Sequence, residues 1–233
     1  MINIFFTIAS NKYGYGHLKR CEIISNKFKK DINWIVLMNK RVDKKIMKNN
    51  SSIKYLSLSK FQKQLKKKNV EFIIKYIFLD FANSKFIKQN KSFQKLDFIK
   101  HLSKNILFID DLSLAKFYKK FKTKEFKDIK VLRPYADIKE SGIISGEKFS
   151  ILNEKLKKFA NRKININMKK ILLSFGGSDL NNYSLKVLRS LKNFKYDISI
   201  VIGPFFKKKN FDLLKKINPK IKIIKNKSFL GRY

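Results

Sequence analysis

The chain of 233 residues is poor in three things: it carries one cysteine, eight glycines and 17 acidic residues. With Cys21 alone there is no intramolecular disulfide and no cysteine-based zinc site, which suits a reducing compartment and excludes a disulfide scaffold. Long apolar runs are also missing. The opening Ile2-Asn3-Ile4-Phe5-Phe6-Thr7-Ile8-Ala9 is short, lacks a basic leader and runs into a Gly/Tyr/His loop, so it reads as neither signal peptide nor membrane span. Lysines interrupt every other apolar stretch, and the reading is a cytoplasmic protein with no stable membrane insertion. At 44% hydrophobic and 14% aromatic the chain has material for a real core, which excludes disorder over its whole length.

What is present in excess is positive charge: 55 Lys plus Arg give a net +38. Cationic surfaces gather phosphates, so one class to weigh is a non-enzymatic nucleic-acid-binding protein. Only six of the basic residues are arginine, the side chain suited to base recognition and bidentate phosphate contacts. The lysines are spread along the whole chain, and nothing in the sequence groups them with stacking aromatics. Lys, Asn, Ile and Phe share A/T-rich codons, so a biased genome accounts for the charge, and no nucleic acid is expected as a partner.

Short apolar runs alternate with lysine-laced segments of helical length, the pattern of a parallel sheet with crossover helices. Strands are expected at Ile2–Ala9, Trp34–Met38, Ile53–Leu58, Phe72–Asp80, Ile106–Ile109, Ile129–Leu132, Ile171–Phe175, Ile198–Ile202 and Ile221–Ile224. Helices are expected near His17–Lys29, Val42–Lys48, Lys60–Lys68, Ser84–Ser103, Asn153–Asn161, Leu180–Leu191 and Lys207–Ile217. Glycines follow the first strand (Gly14, Gly16), the Ile171–Phe175 run (Gly176, Gly177) and the Ile198–Ile202 run (Gly203), at the strand-to-helix turns that line the ligand edge of α/β sheets. A polar stretch precedes a restart of this pattern, placing a boundary near Lys163–Lys169. The expected fold is α/β, with two Rossmann-like domains at residues 1–163 and 164–233 facing each other across a cleft, the second incomplete at about three strands.

Three constellations could carry chemistry. In the loop Ser10 to Arg20, Gly14 and Gly16 permit backbone approach to a ligand, and a helix start offers free N–H groups to anions. His17 falls in that helix's first turn, whose positive end disfavours imidazolium and favours a neutral base; a histidine that merely caps or packs there is the alternative. In Ser174-Phe175-Gly176-Gly177-Ser178-Asp179, Gly176 and Gly177 could offer backbone donors to a diphosphate and Ser178 a hydroxyl, whereas Asp179 reads as a helix cap. Asp110, at the end of Ile106–Ile109, and Asp80, at the end of a comparable strand, could orient a sugar or hold a histidine, or cap a helix. Cys21 reads as buried packing and His101 as surface.

The order of Gly14-Tyr15-Gly16-His17-Leu18-Lys19-Arg20, Ile109-Asp110-Asp111, Gly146-Glu147-Lys148-Phe149-Ser150-Ile151-Leu152 and Phe175-Gly176-Gly177-Ser178-Asp179 resembles the UDP-diacetamido-trideoxy-altropyranose hydrolases of the pseudaminic acid pathway. That family has the glycosyltransferase-B fold of two Rossmann domains and is related to the glycosyltransferase of peptidoglycan lipid II synthesis. The resemblance implies a UDP-sugar substrate, water attack on the anomeric carbon with inversion, and no metal or cofactor. It implies that His17 activates the water, that Gly16 and Arg20 shape the sugar and phosphate side, and that Gly177 and Ser178 lie near the diphosphate. Where the family reads Asp-His-Tyr at a strand end, this chain has Asp80-Phe81-Ala82, so the sugar-facing tyrosine is missing. The chain stops at Tyr233, before the segment that in the family holds the uridine, and the expectation is a C-terminally truncated copy with weak UDP-sugar binding. A glycosyltransferase of the same fold, with His17 activating an acceptor hydroxyl, is the neighbouring alternative.

Overall fold

The computed structural model describes residues 1–10, 14–28, 30–38, 52–66, 73–81, 98–99, 101–103, 105–109, 130–134, 136–154, 156, 169–203 and 206–225. Two compact units divide the chain, Met1–Leu152 and Asn153–Tyr233. The boundary expected at 163–169 falls on residues of which only Lys169 is described.

The first unit is built on a seven-stranded sheet in which every neighbouring pair is parallel. Its elements are β1 (Ile2–Thr7), α1 (Gly16–Ser25), β2 (Ile32–Leu37), β3 (Ile53–Ser57), α2 (Leu58–Lys66), β4 (Ile74–Asp80), β5 (Ile106–Ile109), β6 (Lys130–Arg133) and β7 (Ile143–Ser145). A 3-10 turn follows at Glu147–Phe149. The spatial order is β3-β2-β1-β4-β5-β6-β7. The chain thus runs outward from β1 to β3, then returns to the other side of β1 and runs outward again. In such sheets ligands bind where that order reverses, beyond the carboxyl ends of the strands. Here the switch lies between β1 and β4, whose last residues Thr7 and Asp80 are direct partners.

Strand β1 is buried along its whole length, as expected of a central strand covered on both faces. Ile4, Phe6 and Ile8 face one way and pack with Trp34, Val36, Leu56 and Phe61, the last from α2. Phe6 meets Phe61 edge-on at 5.4 Å. On the opposite face Phe5 stacks on Phe78 of β4 at 4.5 Å, and α1 packs across β1 and β4. At the amino ends of β1 and β2, the buried Asn3 amide donates to Asn33 Oδ1 (3.1 Å) and Asp31 Oδ2 (3.2 Å). Asn33 in turn donates to the carbonyls of Phe28 and Asp31. These bonds satisfy buried polar groups and clamp the exit of α1 to the sheet.

The second unit holds β8 (Lys170–Ser174), α3 (Tyr183–Ser190), β9 (Asp197–Ile202), α4 (Lys208–Ile217) and β10 (Lys222–Lys225). Its three strands are parallel in the order β10-β9-β8. Leu173, Ile198, Ile200 and Ile202 pack with Leu185 and Leu188 of α3 and Leu214 of α4. All nine expected strands are present with ends shifted by at most two residues, and β7 is the addition. It escapes the pattern because three residues of a half-exposed edge strand carry no alternation. The helix expected at Val42–Lys48 and most of those expected at Ser84–Ser103 and Asn153–Asn161 lie outside the described residues, and His101 stands exposed in a 3-10 turn.

Candidate functional site

Sequence placed Asp80 and His17 in separate constellations, 63 residues apart; the fold joins them. β1 ends at Thr7, a short loop returns through the Ser10–Gly14 bridge, and α1 begins at Gly16, directly over the switch point. Gly14 has φ +72°, a conformation that favours glycine, so this residue makes the turn that delivers His17. Asp80 closes β4 with its carboxylate wholly buried. His17 Nδ1 lies 2.7 Å from Asp80 Oδ1. Arg20, one turn further along α1, donates from Nε to Oδ2 (2.8 Å) and from Nη2 to Oδ1 (2.6 Å). This is a two-point guanidinium–carboxylate pair, the strong and geometrically defined form of the interaction.

Arg20 Nη2 also lies 2.8 Å from His17 Nδ1. The carboxylate decides the tautomer. An unprotonated Nδ1 would set a lone pair against a carboxylate oxygen at 2.7 Å, whereas Nδ1–H donates to it. The Arg20 N–H is already directed at the same oxygen and has no need of the ring nitrogen. With the proton on Nδ1, Nε2 is the basic nitrogen, and the ring retains some exposure, 12% of its side chain. A buried carboxylate that orients a histidine by its Nδ1–H, itself oriented by an arginine, is an arrangement able to make Nε2 a directed proton acceptor.

Beneath this group Cys21 is fully buried on α1, as its sequence context suggested. Burial pushes its thiol well up, and the Asp80 carboxylate adds to the rise. It is a packing residue, protonated and inert. Next to it in α1, Glu22 accepts from Lys19 and from the Tyr55 hydroxyl at 2.8 Å. Burial, then the Glu22 charge, push the Tyr55 phenol upward. Gly16 differs from Gly14: its φ is ordinary, and a Cβ built on it would meet nothing within 4 Å. Asp110 lies outside the described residues.

In the second unit, Gly176, Gly177 and Ser178 form the turn between β8 and α3. Gly176 has φ +72°, and a Cβ on Gly203 would run into the backbone of Gly177, so the turns after β8 and β9 touch at a point where only glycine fits. Asp179 stands three residues before the N-cap position, Asn182, instead of occupying it; from there its carboxylate accepts from the amides of Tyr183 (2.8 Å) and Ser184 (3.0 Å), the opening donors of α3. Those donors are spent internally, which leaves the Gly176–Ser178 turn as the part of this edge with backbone available. Among the described residues no group of three or more His, Cys, Asp or Glu is placed to hold a metal ion, and no helix is long and apolar enough to cross a membrane.

No protein-family model matches the chain. An uncharacterized protein of Methanocaldococcus jannaschii is 31% identical over 178 residues, covering 61% of this chain and 37% of its own length. The chain therefore spans little more than a third of that relative. Among solved structures, a glycosyltransferase from Rickettsia africae superposes with a TM-score of 0.53 at 14% identity, covering 97% of this chain and 68% of that one. MurG of Acinetobacter baumannii aligns with a TM-score of 0.46 at 10% identity, covering 99% of this chain and 69% of that one. At 14% identity the likeness to the Rickettsia structure is one of fold: this chain has the α/β architecture of glycosyltransferase-B type, with one parallel sheet in each of its two units.

Proposed function

We propose that the chain acts on a nucleotide sugar and hydrolyses a UDP-linked diacetamido-trideoxy sugar to UDP and the free sugar. The observation that carries this reading is the Asp80–His17 pair at the switch point of the first sheet. In the proposed reaction His17 Nε2 takes a proton from water as the water oxygen bonds to the anomeric carbon from the face opposite UDP. The bond from that carbon to the β-phosphate oxygen breaks, and its electron pair leaves on UDP. The imidazolium that forms shares its Nδ1–H with Asp80, so charge develops beside a fixed carboxylate. Arg20 positions Asp80 through its two donors, and the open space over Gly16 supports close approach of the sugar. Gly176, Gly177 and Ser178 suit a diphosphate through backbone N–H groups and a hydroxyl. Asp110 is proposed for the sugar side from its strand-end place in the sequence. The sugar class rests on the motif order, and Asp80-Phe81-Ala82 in place of Asp-His-Tyr points to an altered sugar contact.

The likeness to the Rickettsia glycosyltransferase supports a second reading, in which His17 activates an acceptor hydroxyl. One assay separates the two. Incubation of the chain with the UDP-sugar alone is expected to release UDP and free sugar in equal amounts, and His17→Ala is expected to abolish both. UDP release that requires an added acceptor would establish the transferase instead, and release unaffected by His17→Ala would overturn both.

A further inference from the structure

The fold gathers lysines that are distant in the sequence around the segment Lys192-Asn193-Phe194-Lys195-Tyr196. In the second unit both helix-to-strand turns and the start of β8 arrive at the amino edge of the sheet. Lys170 is in register with Asp197, and Ser199 with Lys222, so the three strand starts lie side by side, within about 10 Å at ordinary strand spacing. Lys169 and Lys170 open β8, Lys192 and Lys195 lie in the turn before β9, and Lys220 and Lys222 frame the start of β10; all six are exposed. Asp197 is the acidic residue among them, and none of the six ammonium groups enters an ion pair among the described residues. At the middle of this rim Phe194 and Tyr196 stand in solvent, 56% and 39% exposed. They stack on each other at 5.8 Å with their planes 17° apart. The strands place this rim about 20 Å from the Gly176–Ser178 and Gly203 turns at the carboxyl edge.

We propose that this rim docks the protein peripherally on a bilayer surface containing anionic lipid. An exposed phenyl ring beside a ring with a polar tip, surrounded by ammonium groups on flexible stems, matches the zone between headgroups and acyl chains: rings enter, hydroxyl and lysines stay at the phosphates. Each lysine near an anionic surface strengthens binding roughly fivefold, and the attraction is screened by salt. The choice of a membrane over nucleic acid follows from the side chains. All six cations are lysines, point charges without the planar fork that reads phosphate and bases, and Phe194 and Tyr196 each cover one face of the other, which takes away part of the platform on which successive bases would stack. Because the rim lies at the opposite edge of its sheet from the glycine turns, docking leaves those turns open.

The test is co-sedimentation of the full chain with vesicles of phosphatidylcholine alone or with 30% phosphatidylglycerol added, at low and high salt. Binding is expected only with the anionic lipid, lost at high salt. Lys192→Ser with Lys195→Ser should weaken it roughly 25-fold, and Phe194→Ser with Tyr196→Ser should weaken it further. The control pair Lys60→Ser with Lys63→Ser, the same charge change on the exposed side of α2, should leave it nearly unchanged. In a Phe194→Trp variant the added emission should shift to the blue and be quenched by brominated acyl chains. Equal losses from rim and control pairs would overturn the proposal in favour of net charge. Tight RNA binding that the rim variants abolish, with vesicle binding absent, would overturn it in favour of a nucleic-acid surface. All six substituted positions are exposed, and an unchanged thermal melt of each variant verifies that folding is intact.

Discussion

Asp80→Asn tests the centre of the argument. The carboxylate is wholly buried and receives two donors from Arg20 and one from His17, whose side chains are 18% and 12% exposed. Asparagine keeps the shape but removes the charge and turns one acceptor oxygen into a donor, which must then face Arg20 or His17. Removing one member of a buried ion pair costs about 3–5 kcal/mol, because the partner charge remains without compensation. At about 2–4 °C per kcal/mol for a unit of this size, the melting temperature should fall by roughly 6–20 °C. The single tryptophan, Trp34, is buried in the core of the first unit, so its fluorescence reports this transition directly. If Asp80 also fixes the His17 tautomer, kcat for UDP release should drop about 10²–10⁴-fold at temperatures where the variant is folded. In a double-mutant cycle with His17→Ala the two losses in activity should then fail to add, since each disables the same base. A melting temperature within a degree of the parent would refute the buried charge pair. Additive losses in kcat would refute the coupling of Asp80 to His17 even if both residues matter.

Further outcomes are expected elsewhere. Gly16→Ala places a methyl in open space at an ordinary φ in a helix start, so it should hold or raise stability by about 0.5–1 kcal/mol; a simultaneous rise in KM for the UDP-sugar would support approach of the ligand there. Gly203→Ala should destabilise the second unit by about 1–3 kcal/mol, seen by far-ultraviolet circular dichroism with little change in Trp34 emission, because the added methyl collides with the Gly177 backbone. Asp179→Ala removes the acceptor of two helix-opening amides and should cost about 1–2 kcal/mol, read in the same way. Cys21 and Tyr55 are both held protonated by burial, so their contribution is complete at neutral pH and is lost as pH rises above their unfolded values, 9.0 for the thiol and 10.0 for the phenol. Stability measured by urea titration should fall from about pH 9 upward, by at most about 1.4 kcal/mol per pH unit for each group, and Cys21→Ala should shallow that slope. A flat profile to pH 11 would refute the burial argument.

Much of this protein is legible in its sequence because local chemistry decides it. Buried parallel strands must be short and mostly apolar, and Ile2–Thr7 and Ile106–Ile109 stand out for that reason, while Asp197–Ile202 shows the alternation of a half-buried strand. Turns that need a positive φ or a close backbone approach must carry glycine, which marks Gly14, Gly176 and Gly203. Asp179 announces a helix start because a short carboxylate next to a strand-to-helix turn can satisfy free amides. Tertiary structure alone decided which distant residues meet. No periodicity or spacing pairs Asp80 with His17 and Arg20; they meet because β4 returns to the side of β1 that β2 leaves open, bringing a strand end under a helix start. The same holds for Lys169, Lys192, Lys220 and the Phe194–Tyr196 stack, gathered at one edge because every helix-to-strand turn of a parallel sheet must end there. Sequence sets what each segment is able to form, through forces that act over a few residues; topology sets which segments become neighbours, and charge, burial and proton direction exist only between neighbours.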